Sequence, residues 1–175
     1  MNERRPRLLP SFSNAKAKTN TRFQAGWFLG LLTLVAANPV MADTANFGTI
    51  SLAPGFDTTN ASVSAYTGGS YSLSAISNRD RDNKACIGFA DPNPDHILVL
   101  EKDFSNLRVA VDSGGSDTTI LIQGPDNTIY CGDDSGRRKD ASIENPNWKA
   151  GNYKVWVGTF NPNVRLNYNL TVQQP

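Results

Sequence analysis

An apolar side chain stands at every second position of Leu166-Asn-Tyr-Asn-Leu-Thr-Val172, and polar or small residues fill the positions between. Successive side chains of a β-strand point to opposite faces, so this alternation predicts a strand with one face in a core and the other in water. Residues 107–111 and 153–157 show the same period. We therefore expect the fold to be built from half-buried strands.

Short strand candidates continue along the chain, separated by clusters of Gly, Pro, Asn and Asp that favour turns. These candidates are residues 48–52, 62–66, 71–76, 86–89, 97–102, 118–123 and 128–131. Many short strands at regular spacing, with no helical stretch between them, are typical of an antiparallel sandwich. The sequence thus predicts an all-β fold, an antiparallel β-sandwich.

Charge is distributed unevenly over the 175 residues. Up to Ala42 there are six basic residues and one acid, whereas the remainder holds 11 bases and 15 acids, a net charge of −4. A basic start, an apolar run over residues 26–37 and the small residues of Val40-Met-Ala42 together predict a signal peptide over residues 1–42. A membrane anchor is the alternative, but twelve helical residues cover only about 18 Å of a bilayer core about 30 Å thick.

Removal of residues 1–42 leaves 133 residues, the size of one ordinary domain. We expect residues 70–175 to form the sandwich and residues 43–69, which are rich in Ser, Thr and Gly, to add strands to it. The size excludes a large multidomain enzyme, and the acidic body excludes a basic nucleic-acid binder. The predicted location is the periplasm or the cell exterior, with no membrane span after processing.

Both cysteines, Cys86 and Cys131, lie in the part expected to be exported. An isolated pair in an oxidising compartment favours a disulfide over a zinc site, because zinc usually takes four ligands and the chain has a single His. Two free thiols remain the alternative.

Two longer motifs carry a family resemblance. In Asp117-Thr-Thr-Ile-Leu-Ile-Gln-Gly-Pro-Asp-Asn-Thr-Ile-Tyr-Cys-Gly-Asp-Asp-Ser-Gly136 a strand ends in Gly-Pro and an Asp-rich turn follows, and Lys149-Ala-Gly-Asn-Tyr-Lys-Val-Trp-Val-Gly-Thr-Phe160 opens a second strand with Ala-Gly-x-Tyr. From about residue 70 to 172 the chain resembles the bacterial pre-peptidase C-terminal domain, in particular its small stand-alone exported members. The resemblance implies a jelly-roll-like β-sandwich that accompanies secreted peptidases without being catalytic, and paired cysteines at positions 86 and 131.

Cys131-Gly-Asp-Asp-Ser-Gly136 also resembles the nucleophile region of chymotrypsin-like serine peptidases. A serine nucleophile needs an imidazole base that a carboxylate orients, together with an oxyanion hole. The one available base is His96, which lacks the sequence context of those enzymes, and Arg137 replaces their second Gly. A hydrolase centred on Ser135 is therefore kept only as the alternative to a non-catalytic module.

Four aspartates of the predicted loops could meet at one edge of the sandwich and bind calcium, which prefers carboxylate and carbonyl oxygens. They are Asp112, Asp117, Asp133 and Asp134. The alternative is a set of Asp-rich turns paired with nearby basic side chains. No other cofactor is expected.

Trp156 and Phe160 point away from Tyr153, Val155 and Val157 on the same predicted strand, so they are candidate binding residues. Alternatively the N-terminal segment covers this face and both rings belong to the core. We predict an exported, non-catalytic β-sandwich that binds or adheres to a protein or glycan of the cell envelope, with no nucleic-acid partner.

Overall fold

The computed structural model describes residues 44–135 and 138–175. The described residues form twelve strands and two single-turn 3-10 helices, Thr58–Ala61 and Leu73–Ala75. The strands are β1 (Thr49–Leu52), β2 (Ser62–Tyr66), β3 (Tyr71–Ser72), β4 (Phe89–Ala90), β5 (His96–Leu100), β6 (Phe104–Asp112), β7 (Thr118–Gln123), β8 (Ile129–Gly132), β9 (Asp134–Ser135), β10 (Arg138–Trp148), β11 (Gly151–Thr159) and β12 (Asn167–Gln173).

Two sheets make up the fold. In the first sheet β11 is the centre: it pairs with β5, which leads to β1, with β7, which leads to β8, and at its end with β4, which leads to β3. The second sheet has the order β2-β12-β6-β10-β9. Every strand pair except β1 with β5 is antiparallel among the described residues.

The core lies between these sheets, where the alternating apolar positions of each strand meet. It contains Leu98, Leu100, Ile120, Ile122, Tyr153, Val155 and Val157 from the first sheet, and Leu107, Val109, Val111, Ile143, Trp148, Tyr168, Leu170 and Val172 from the second. The Trp148 indole is fully buried and donates its Nε1 hydrogen to the carbonyl of Asn145 (2.8 Å). The predicted all-β sandwich is confirmed.

The outer face of the first sheet is covered by residues 73–90, which we call the cover segment. Leu73, Cys86 and Ala90 of this segment pack in one cluster with Leu121, Cys131 and Trp156 of the sheet. The predicted Cys86–Cys131 disulfide is present, with 5.3 Å between the Cα atoms. Because it closes a loop of 45 residues, it removes about 4 kcal/mol of unfolded-state chain entropy.

Residues 43–69 contribute one strand to each sheet, β1 to the first and β2 to the second. Ahead of β1, the backbone N–H groups of Asn46 and Phe47 donate to the carbonyls of Pro94 and Asp95 (2.9 and 2.8 Å). The chain is therefore fixed to the sandwich from Asn46 onward. The predicted signal peptide, residues 1–42, lies outside the described residues, and within them no helix is long and apolar enough to cross a bilayer.

Two predicted strands differ in the structure, and one long strand was not predicted. The strand expected over 71–76 stops at Ser72 and continues as the Leu73–Ala75 helix, while the strand expected over 86–89 is shifted to Phe89–Ala90. The eleven-residue β10 was not expected at all. Its polar start and the Asn145-Pro146-Asn147 stretch have the composition of a turn, and Asn147 has a positive φ of 61° there.

Candidate functional site

The outer face of the second sheet presents polar side chains. On β12 Asn167, Asn169 and Gln173 are exposed, and on β2 Ser64 and Tyr66 are exposed beside them. These are the positions between the core residues of each strand, so they project from the opposite face. This face therefore differs in chemistry from the face under the cover segment.

A depression of about 580 Å³ crosses this surface, and we call it the face groove. It is lined by Ser64, Ala65, Tyr66, Asp112, Ser113, Gly114, Asn167, Tyr168 and Asn169. The Ser64 hydroxyl donates to Oδ1 of Asn169 (2.6 Å), and the Asp112 carboxylate accepts from the Gly114 N–H (3.1 Å). Hydroxyl, amide and carboxylate groups thus supply both donors and acceptors along the groove.

The turn over residues 113–116, at one end of the face groove, is hydrogen-bonded to the side chain of Asp140. Its Oδ1 accepts from the backbone N–H of Ser113 (2.8 Å) and from the Ser113 hydroxyl (2.5 Å). Burial opposes ionisation of this carboxyl, but the hydrogen bonds from Ser113 outweigh that effect and lower its pKa. The 113–116 turn is consequently fixed by an ionised side chain.

A second depression of about 460 Å³ adjoins the first and shares Tyr66 with it. We call it the end pocket, and it is lined by Asn46, Phe47, Tyr66, Thr67, Gly68, Gly69, Asp91, Asp95 and Arg165. The Tyr66 ring is contacted at its edge by Phe47 (4.8 Å between centroids) and over its face by the Arg165 guanidinium (3.4 Å from the ring centroid). Cation–π contact of this kind orients an otherwise mobile Arg side chain.

Asp95 is the buried carboxyl of the end pocket, with 3% of its surface exposed. Its Oδ2 accepts from the Val157 N–H (2.7 Å). Burial raises the pKa of Asp95 to about 7, against the hydrogen bonds from Val157 and Asn46. Asp95 therefore carries only part of its charge at neutral pH.

His96 is fully buried beside it, and its Nε2 shares a hydrogen bond with the Tyr168 hydroxyl (2.9 Å). Burial lowers the pKa of His96 to about 4 and raises the pKa of Tyr168. The imidazole is neutral at physiological pH and has no face in solvent. It does not suit the general-base role that a peptidase centred on Ser135 would require, because that role needs a ring within reach of the serine and its substrate. The side chain of Ser135 lies outside what the structure describes.

The structure brings three of the four candidate calcium ligands together. Carboxylate oxygens of Asp117, Asp133 and Asp134 lie within 4.8 Å of one another, whereas Asp112 lies in the face groove. Lys139 Nζ donates to Asp117 Oδ2 (3.0 Å). Desolvation, followed by the neighbouring charges of Asp134 and Asp117, raises the pKa of Asp133. Calcium binding at this cluster stays a prediction.

The two candidate aromatic residues, Trp156 and Phe160, differ in their exposure to solvent. Trp156 is 5% exposed, packs under the cover segment and donates Nε1–H to the Pro92 carbonyl (3.4 Å). The structure thus favours the core interpretation for Trp156, with residues 73–90 and not the N-terminal segment as its cover. Phe160 is 55% exposed and borders a smaller depression of about 230 Å³.

The residues that line the two depressions were mostly missed from sequence. Asn167 and Asn169 were identified only as the wet positions of a strand, and their regular alternation was the one available signal. Tyr66 and Arg165 are 99 positions apart in the sequence. The pairing of β2 with β12, in which Tyr66 lies opposite Asn167, brings the two side chains into contact.

Comparisons with known proteins identify structures and no sequence family. No protein-family model and no curated protein matches the chain. The pre-peptidase C-terminal domain of a collagenase from Bacillus anthracis is similar to it at 14% identity over 74% of this chain and 99% of that domain, with a TM-score of 0.42. CorA, a surface-associated copper-binding protein of Methylomicrobium album BG8, is similar at 11% identity over 75% and 100%, with a TM-score of 0.43. The first belongs to the family that the sequence resembles, and similarity at this level carries no argument about function.

Proposed function

We propose that this chain is an exported, non-catalytic β-sandwich module that adheres to a glycan or protein of the cell envelope through the face groove. The observation that carries the proposal is the groove itself: about 580 Å³, open to solvent and lined by hydroxyl, amide and carboxylate groups from three neighbouring strands. Such a lining can exchange its hydrogen bonds with water for hydrogen bonds with a polar ligand.

Rigid support under the groove favours binding. The polar side chains stand on β2, β12 and β6. The central strand β12 is hydrogen-bonded to β2 on one side and to β6 on the other, and the adjoining turn is fixed by Asp140. Groups held in place before binding lose less conformational entropy when a ligand arrives.

The disulfide supports export. Cys86 and Cys131 are joined, and structural disulfides persist in oxidising compartments rather than in the cytosol. Together with the predicted signal peptide, the disulfide supports a location in the periplasm or outside the cell.

Co-sedimentation with isolated cell envelopes tests the proposal. We expect the purified protein to sediment with the envelopes, and we expect the double substitution Asn167→Ala and Asn169→Ala to weaken this binding at least tenfold. Tenfold corresponds to about 1.4 kcal/mol, which two lost hydrogen-bonding groups can supply.

Gln173→Ala is the matched control, because Gln173 is exposed on the same strand and the same face but does not line the groove. This variant should bind as the parent does. Absence of envelope binding, or equal binding by the double variant, would refute the proposal.

A further inference from the structure

We propose that the end pocket binds the terminal residue of a neutral glycan, with the following residues of the same glycan chain in the face groove. This inference rests on the proposed function and narrows its ligand to one class. The end pocket has a volume of about 460 Å³, within the range of roughly 300–1,000 Å³ that is typical of small-molecule pockets.

Arg165 supplies the donors. Arg165 is an exposed residue, its guanidinium is stacked on Tyr66, and it has no ion pair with any residue in the described part of the chain. A planar guanidinium has five N–H groups in a fixed fork, which can serve two adjacent hydroxyl oxygens at once.

The Asp91 carboxylate supplies acceptors to the same pocket, whereas the buried Asp95 and the Asn46 amide bonded to it form part of the pocket wall. One oxygen of Asp91 accepts from the Asn93 N–H (3.0 Å), which fixes the orientation of its carboxylate. Donors and acceptors therefore line one depression, as a ligand made of hydroxyl groups requires, because each hydroxyl both donates and accepts.

The mixed charge of the pocket disfavours ionic ligands. An anion placed against Arg165 would also lie beside Asp91, and a cation placed against Asp91 would lie beside Arg165. A neutral polyhydroxyl ligand satisfies both groups and meets neither repulsion.

The walls are built to hold their shape. Thr67 Oγ1 donates to the Val164 carbonyl and accepts from the Leu166 N–H (both 2.9 Å), so the loop that carries Arg165 is bonded to the end of β2. Gly69 has a φ of 85°, and a Cβ there would lie 2.3 Å from the Ala90 carbonyl oxygen. Only glycine allows this close approach of the two wall segments.

Tyr66 connects the two depressions, since it lines both. A glycan of several residues can therefore contact Arg165 at one end and Asn167 and Asn169 further along. This arrangement predicts that a hexasaccharide binds more tightly than a disaccharide of the same sugar.

Titration calorimetry with defined oligosaccharides tests the inference. The probes are disaccharides and hexasaccharides of glucose, mannose, galactose and N-acetylglucosamine, with polygalacturonate as the anionic and chitosan as the cationic comparison. We expect at least one neutral series to bind, with the hexasaccharide at least tenfold tighter than the disaccharide, and we expect neither charged polymer to bind more tightly.

Arg165→Ala should weaken binding of both lengths at least tenfold, and Arg165→Lys should weaken it too, because the charge stays while the planar fork is lost. Lys102→Ala is the matched control: it removes one exposed positive charge beyond the opposite end of β5 and should leave binding unchanged. A thermal melt of each variant verifies that it is folded.

Preferred binding of a charged polymer, full binding by Arg165→Ala, or failure of every neutral oligosaccharide would overturn the inference. Envelope binding that depends on Asn167 and Asn169 while neutral oligosaccharides fail would leave the proposed function intact and remove only this ligand class. Oligosaccharide binding that depends on Arg165, without envelope binding, would support the glycan site in the end pocket and refute the proposed adhesion to the cell envelope.

Discussion

At the scale of single residues, the neighbours Asp95 and His96 are both buried, and their shifted pKa values make stability depend on pH in opposite directions. The pKa of Asp95 is raised to about 7, so between about pH 4 and 7 the folded protein keeps a proton that the unfolded chain has lost, and stability falls as pH rises. The pKa of His96 is lowered to about 4, so between about pH 6.5 and 4 the unfolded chain takes up a proton first, and stability falls as pH falls. Over their shared range the two effects largely offset each other.

The substitution Asp95→Asn should remove the Asp95 contribution to the pH dependence of stability and leave that of His96. The amide keeps an acceptor for the Val157 N–H and removes the buried charge, so the variant should be more stable than the parent at pH 8, by up to about 4 kcal/mol for a shift of about three pKa units. The gain should disappear towards pH 4. Urea denaturation at pH 4, 6 and 8 measures this difference.

Asp103→Asn is the opposite control, because Lys149 lowers the pKa of that exposed carboxyl. It should lose a little stability at neutral pH. Equal destabilisation of Asp95→Asn at every pH would show that the substitution acts through hydrogen bonding or packing, and that ionisation of Asp95 carries no cost in stability.

The Asp117, Asp133 and Asp134 cluster gives a second prediction at this scale. Desolvation and then the charges of Asp134 and Asp117 raise the pKa of Asp133, and a bound calcium ion would relieve the repulsion between these carboxylates. Calcium at about 100 times its Kd would stabilise the fold by about 2.7 kcal/mol. We expect a rise of several degrees in Tm with calcium, reversal by a chelator and no response in Asp134→Asn. An unchanged Tm in the parent would exclude the site.

At the scale of elements, the cover segment is held by few contacts of its own. Residues 73–90 contain only one short 3-10 helix and one two-residue strand. Besides the small cluster around the disulfide, they attach to the sheet through a few polar contacts, such as the hydrogen bonds from the Arg81 N–H to the Ile129 carbonyl (3.0 Å) and from the Cys131 N–H to Asp80 Oδ2 (3.2 Å). Their order thus depends strongly on the covalent link between Cys86 and Cys131.

Replacement of both cysteines by alanine should lower the free energy of unfolding by about 4 kcal/mol and loosen this segment. Trp156 should then become accessible to iodide, whereas Trp148 in the main core should not. Fluorescence quenching measures the difference, with Trp156→Phe in the same background as the control. Unchanged quenching would mean that packing alone holds the segment in place.

The elements also show what could be predicted from sequence. β6, β11 and β12 were identified because their apolar residues recur at every second position, and this period is a local property of the sequence. β10 was missed because its apolar alternation is short, with Ala141 and Ile143 between polar ends, and its strand character comes from pairing with β6. The parallel pairing of β1 with β5 depends on contacts 48 residues apart, for which a periodic pattern contains no information.

At the scale of the whole molecule, the two outer faces of the sandwich differ: one is closed by the cover segment and the other carries the face groove. The amino-acid composition predicts that residues 43–175 carry a net negative charge, but it does not predict which face of the sandwich is open to solvent. The candidate site could not be predicted because Asn46, Tyr66 and Arg165 converge only after strands from the start and end of the domain have paired.

Export is the prediction at this scale. Removal of residues 1–42 should change the net charge from +1 to −4, so the exported protein should focus at a lower pH than the full chain. Intact mass of the periplasmic and extracellular fractions should give a chain beginning at Asp43. A full-length mass in the membrane fraction would support the anchor alternative instead.

The bonds from Asn46 and Phe47 to Pro94 and Asp95 bear on the order of events during secretion. The predicted cleavage follows Ala42, so only Asp43, Thr44 and Ala45 separate the cut from Asn46, a reach of about 10 Å. A peptidase that binds several extended residues on either side of the bond would compete with the folded sandwich for Asn46. We therefore expect processing to precede the docking of this segment, so that a slowly cleaved precursor would be delayed in completing the first sheet.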